Sequence, residues 1–183
     1  RVDGQMNPIP GTEKDYACDT LILSVGLIPE NELSLGAGIE LDGRTRGAVV
    51  DENCQTDVEG IFAAGNVLHV HDLVDFVSKE AERMADAVSR YVSAGPLQGC
   101  RVNVKTDDNI VYTVPQKISC KEDFVLSLRV RKPMKNCELR ITQNGEVKKT
   151  VKIRKALPAN MIQVPIQKDG LDSRVDLEVA VAC

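Results

Sequence analysis

The spacing of apolar residues changes period once along this chain, at Gly95-Pro96. Before it, Leu73, Val74, Val77, Ala81, Met84, Ala85, Val88 and Val92 recur three and four residues apart, which gathers them on one helical face. After it, Phe124, Leu126, Leu128 and Val130 alternate with Val125, Ser127, Arg129 and Arg131. Cys137, Leu139 and Ile141 alternate in the same way with Glu138, Arg140 and Thr142, which is the two-residue period of a strand. One element cannot carry both periods. The expected class is therefore α+β, with an α/β portion over residues 1–95 and an all-β domain over 98–183.

Within the first portion, Thr20-Leu21-Ile22-Leu23-Ser24-Val25 is an apolar run of strand length closed by Gly26, suited to a strand buried on both faces. Ile39 and Leu41, the segment from Gly43 to Gly47, and Val49 with Val50 predict a hairpin. Ile61 to Ala64 predicts a second short buried strand. The long helix should begin near Asp72, as N-cap, with Asp75 adding negative charge to the first turn. Ser93-Ala94-Gly95-Pro96 should end it, and its apolar face should be core.

In the second portion about seven short strands are expected, beginning at Val102–Val104 and Ile110–Val114 and closing with Val175, Leu177, Val179 and Val181. Asn144-Gly145 offers the positive backbone angles of a tight hairpin turn. The pattern predicts an immunoglobulin-like β-sandwich, without fixing strand order.

Composition excludes several functions. A net charge of -4 and the lack of tryptophan argue against nucleic acid, whose phosphates need a clustered basic surface and whose bases need stacking platforms. The basic residues Lys148, Lys149, Lys152, Arg154 and Lys155 alternate with Val147, Val151 and Ile153, as on the solvated face of a strand. No apolar run approaches the roughly 18 residues of a spanning helix, and no signal segment opens the chain, so the expected setting is cytoplasmic. The six cysteines stand singly and form no C-x-x-C pair, so buried, reduced thiols are expected.

The segment from Thr56 through Gly65-Asn66 reads as a turn, a short buried strand, a glycine, a short polar residue and then a helix start. Those parts bring backbone against a charged or polyhydroxylated ligand. The segment resembles the closing motif of two-dinucleotide flavoprotein oxidoreductases, the pyridine nucleotide-disulfide oxidoreductase-like family, with Asn66 where that motif usually has aspartate. Cys18 to Asn31 resembles the strand and turn that return the chain to the FAD domain, with Leu27 in the place of a frequent arginine. Ala48-Val49-Val50-Asp51 and Thr56 resemble the lead-in to the flavin motif. His69-Val70-His71-Asp72-Leu73-Val74-Asp75 resembles the signature of a subgroup often accompanying anaerobic glycerol-3-phosphate dehydrogenase. The resemblance covers about residues 1 to 92; the β half has no comparable motif.

The resemblance implies FAD, and NAD(P) in the intact protein. Gly65 would let the backbone approach FAD, Asn66 would hydrogen-bond its ribityl or pyrophosphate region, and backbone groups around Leu73 and Val74 would face the pyrimidine edge of the flavin. No G-x-G-x-x-G loop occurs, and the chain opens at Arg1 with its first methionine at Met6. A piece of a longer flavoenzyme is therefore expected, inactive alone, supplying no catalytic dithiol and no assignable catalytic residue. Its apolar strands should repack or pair with another copy. The competing expectation is a docking module whose sandwich seats a partner, such as a companion dehydrogenase subunit; the sandwich could also only stabilise the flavoprotein. His69 and His71, with Asp72 and Asp75 nearby, invite a metal or proton-relay role, but two histidines at i, i+2 need not converge on one ion. Loop contacts, and no metal, are expected.

Overall fold

The computed structural model describes every residue except 6, 25, 98, 100, 101 and 183. Its first portion is poor in regular structure. A short helix α1 spans Glu32–Gly36, a 3-10 turn spans Gly65–Val67, and the long helix α2 spans Val74–Ala94. The expected strand at 20–25 is absent among the described residues, Val25 lying outside them. Leu21, Ile22 and Leu23 are 73–86% exposed. A two-sided strand needs hydrogen-bonded neighbours on both edges, and the described residues offer it none. The strand expected at Ile61–Ala64 is reduced to one bridge, Phe62 with Gln55.

The expected hairpin is present in minimal form, closed by a Leu41–Ala48 bridge. The Asp42 carboxylate organises its turn by accepting the Arg44 and Thr45 amides at 3.0 and 2.7 Å. Gly47 is sterically required: a Cβ there would lie 1.8 Å from the Leu68 carbonyl oxygen. Asn31 ties the hairpin to the 3-10 turn, its Nδ2 donating to the Arg46 and Val67 carbonyls at 2.9 Å each.

Helix α2 ends as expected, at Gly95 with φ 89°. It begins later than expected, with Leu73 at the N-cap and no side-chain cap. Asp72 is drawn away from the helix start by the positive charge of Arg129 and by the Met161 amide. The only fully buried side chains on α2 are Glu80 and Ala87. The predicted apolar face is not core: Val77, Ala81, Met84 and Val88 are half-buried, and Leu73, Val74, Ala85 and Val92 are exposed.

The second portion contains β1 Val102–Thr106, β2 Ile110–Val114, β3 Lys117–Ile118, β4 Phe124–Val130, β5 Met134–Gln143, β6 Glu146–Ala156, β7 Ile162–Ile166 and β8 Leu177–Ala182. They form a five-stranded sheet in the order β3-β1-β8-β5-β6 and a three-stranded sheet in the order β2-β4-β7. Among the described residues only β1 and β8 pair in parallel. The β5–β6 turn falls at Asn144-Gly145, with φ 49° and 77°, the geometry anticipated for a two-residue hairpin loop. Alternating residues of both sheets, among them Leu126, Leu128, Leu139, Ile141, Leu177 and Val179, share one core. Each such buried aliphatic side chain contributes about 1.5–3 kcal/mol by leaving water.

A second, smaller core joins the two portions. Ile39, Ala48, Val50 and Leu68 pack with Tyr112 and Val114 of β2. Polar contacts flank it: Gln116 Oε1 accepts the Val50 amide at 3.0 Å, and the Glu52 carboxylate accepts the Ser119 amide at 2.8 Å.

Candidate functional site

The residues singled out by sequence meet where the Gly65–Asp72 loop enters α2. Gly65 has φ 76° and is buried, and its N–H donates to Glu80 Oε2 at 2.6 Å. A side chain here would be strained by that φ, and its Cβ would stand 3.4 Å from Val77 Cγ1. Asn66 is exposed and uses Oδ1 to accept the His71 amide at 3.1 Å. Leu73 and Val74 are 56% and 79% exposed at the uncapped start of α2.

Beneath this surface the loop folds both imidazoles onto one carboxylate. His69 Nε2 is 2.9 Å from Glu80 Oε1, and His71 Nε2 is 3.4 Å from the same oxygen. The two side chains are each 1% exposed and that of Glu80 3%. The imidazole centroids are 4.3 Å apart, and the Tyr112 ring meets His69 edge-on at 5.9 Å. His71 Nε2 is not aligned for a hydrogen bond, and His69 Nδ1 and His71 Nδ1 are likewise buried without a partner. Glu80 carries no signal in the sequence, where it stands among charged residues such as Lys79 and Glu82, largely off the apolar face. Asp75 stays exposed in the first turn of α2.

Burial alone would raise the Glu80 carboxyl, but His69, His71 and the Gly65 amide hold it at about 2. For His69 burial wins, pushing its pKa down against the pull of Glu80. The arrangement is best described as an ionised carboxylate receiving a hydrogen bond from a neutral imidazole.

Arg129 of β4 fastens the outer side of the loop. Its Nη2 donates to the Val70 carbonyl at 2.9 Å and pairs with Asp72, while Nε donates to Tyr112 Oη at 2.8 Å. Its Nη1 donates to the Ala159 carbonyl at 2.6 Å. Asp72 also accepts the Met161 amide. A cavity of about 360 Å³ lies at this junction, bordered by Leu27, Pro29, Arg46, His69, Tyr112 and Arg129 among others.

These positions offer a cofactor two things. The start of α2 presents backbone N–H groups uncapped by any side chain beside two exposed apolar residues, which suits the edge of an aromatic ring that gains negative charge. Asn66 offers an exposed amide. The Gly65 N–H is already committed to Glu80.

Residues 1–89 match the family model described as pyridine nucleotide-disulphide oxidoreductase. The chain is similar to the mitochondrial dihydrolipoyl dehydrogenase of Caenorhabditis elegans, 32% identical over 108 residues, covering 58% of this chain and 20% of that protein. It is 30% identical over 80 residues to a ferredoxin–NADP reductase of Leuconostoc mesenteroides, covering 42% of this chain and 24% of that one. It is 36% identical over 61 residues to the ferredoxin–NAD(+) reductase component of the anthranilate 1,2-dioxygenase system of Burkholderia cepacia, covering 33% and 14%. The chain thus spans about a quarter or less of the length of these relatives. No solved structure matches it. The family match implies FAD and NAD(P) as cofactors. No helix among the described residues is long and apolar enough to cross a membrane.

Proposed function

We infer that this chain forms the closing portion of an FAD-dependent oxidoreductase that moves electrons between NAD(P)H and a second redox partner. The observation that carries the reading is the loop at Gly65-Asn66 running into the uncapped, apolar-flanked start of α2. When bound, FAD supplies the two-electron chemistry. The chain's own part is to hold the α2 start in place, with Leu73 and Val74 excluding water and Asn66 offering a neutral hydrogen-bonding group. Arg129, by gripping Val70 and Asp72, fixes the approach of that loop.

The β half is read as an immunoglobulin-like sandwich. Two facing sheets with alternating inward residues and a parallel first–last strand pair support that. A second reading makes this half a docking module for a companion subunit, such as the dehydrogenase of the subgroup this chain resembles. The relative that is one component of a multi-component system favours it.

Sequencing the source DNA upstream of the Arg1 codon tests the first reading. Two G-x-G-x-x-G loops, each between a strand and a helix, are expected in the same frame. The protein from that whole frame should retain FAD and bleach it with NADH or NADPH. A start codon directly before Arg1, or a complete frame whose product carries no flavin, would defeat the reading.

A further inference from the structure

We propose that His69, His71 and Glu80 form a mononuclear site for a divalent transition metal of the zinc class. One donor atom from each residue can be chosen so that all lie within 4.8 Å of one another. The separations of the two Nε2 atoms from Glu80 Oε1, 2.9 and 3.4 Å, bracket the edge of about 3.3 Å between donors bound tetrahedrally at about 2.0–2.1 Å. Two nitrogens and one oxygen select zinc, iron or cobalt over calcium and magnesium, which take all-oxygen sets.

The buried nitrogen that an ion would satisfy is His71 Nε2, which has no hydrogen-bond partner; His69 Nδ1 and His71 Nδ1 are also unpartnered, and an ion bound through the Nε2 atoms does not reach them. Each such group costs about 1–3 kcal/mol when left unpaired in the interior. His71 Nε2 nevertheless lies 3.4 Å from the carboxylate, a separation that a shared cation would bridge. An ion would replace the proton between His69 Nε2 and Glu80 Oε1. That proton can move to Nδ1 of the same ring, so the ligand set keeps its charge.

The rest of the geometry holds the donors in place. Glu80 Oε2 is anchored by the Gly65 amide at 2.6 Å, which orients Oε1 toward the rings. The Asn66 side chain holds the His71 amide. Residues two apart on an extended chain share one side, and here their rings sit 4.3 Å apart. Three protein donors leave at least one coordination position for a small ligand. The ion would tie the loop to α2 from beneath, independently of whether flavin binds above.

The test uses the 183-residue chain, stripped with a chelator and titrated with Zn²⁺ against a chromophoric competitor. One equivalent should bind, and Co²⁺ in its place should give an intense visible absorption band. His71→Gln is the decisive variant, because the His71 ring nitrogens make no hydrogen bond that the fold would lose. It should weaken Zn²⁺ binding by roughly 100-fold or more, as should Glu80→Gln. Equal Zn²⁺ affinity in the native chain and His71→Gln, or no visible Co²⁺ band, would overturn the site. Neither readout involves flavin, so failure here leaves the redox reading standing, and failure of that reading leaves the metal site untouched.

Discussion

Asp72 and Arg129, separated by 57 residues, form an ion pair that joins the loop before α2 to the second strand of the smaller sheet. Neither is fully exposed, their side chains keeping 26% and 14% of their surface. Arg129 uses its remaining donors on Val70, Tyr112 and the Pro158 and Ala159 carbonyls. One guanidinium therefore connects both portions of the chain.

Arg129→Ala should destabilise the chain by about 2–4 kcal/mol, since several charge-assisted hydrogen bonds and a partly buried ion pair vanish together. Arg129→Lys should recover less than half, because an ammonium cannot reproduce the planar fork. Urea unfolding measures both. A loss below about 1 kcal/mol for the alanine variant would show that the grip is energetically idle.

Gly47→Ala and Gly43→Ala make a matched pair in one hairpin loop. The first places a Cβ 1.8 Å from backbone at Leu68, so the core must open; the second meets nothing within 4 Å. Expected costs are about 3 kcal/mol or more and under about 0.5 kcal/mol. Similar melting temperatures for the two variants would refute the close approach.

Thiol labelling should discriminate sharply among the described cysteines. Cys18 is exposed, whereas Cys54, Cys120 and Cys137 are buried. Burial, reinforced by the Glu80 charge, pushes the Cys54 thiol up to about 12. Thiolate is the reactive form, so at pH 8 Cys54 should resist iodoacetamide until the chain unfolds. Mass spectrometry after timed quenching should find Cys18 modified first; prompt labelling of Cys54 would contradict its burial.

Leu21, Ile22, Leu23, Leu27 and Ile28 are all largely exposed within one short segment. Exposed apolar surface of this kind drives association. Sedimentation velocity should show concentration-dependent self-association, reduced by the double substitution Ile22→Lys and Leu23→Lys. Identical sedimentation of both proteins at every concentration would show that the stretch is inert.

What could be read from sequence follows how local its causes are. The existence of α2, the Asn144-Gly145 turn and the alternation through β4 and β5 depend on neighbours a few residues away, and the structure reproduces them, whereas burial of the α2 apolar face needs partners from outside and is not seen. The Thr20–Val25 run has strand composition, but a strand exists only through its partners. Asp72 has the chemistry of a cap and is captured instead by Arg129 from another element. Glu80 is the sharpest case. Its helical phase places it among charged residues, and only the return of Gly65, His69 and His71 makes its position interior. The Gly65-Asn66 loop was legible because glycine, polar residue and helix start are contiguous; its buried polar floor is not.

The small core in which Tyr112 and Val114 meet Ile39, Ala48, Val50 and Leu68 limits how this chain can be recombined. Gly95-Pro96 looks like a seam where a graft would be harmless. A chimera that replaced everything beyond it would remove two walls of the compartment holding Leu68, the residue just before His69. Any transplanted β half would have to bring equivalents of Tyr112 and Val114, so the two portions are expected to be inherited, exchanged and lost together.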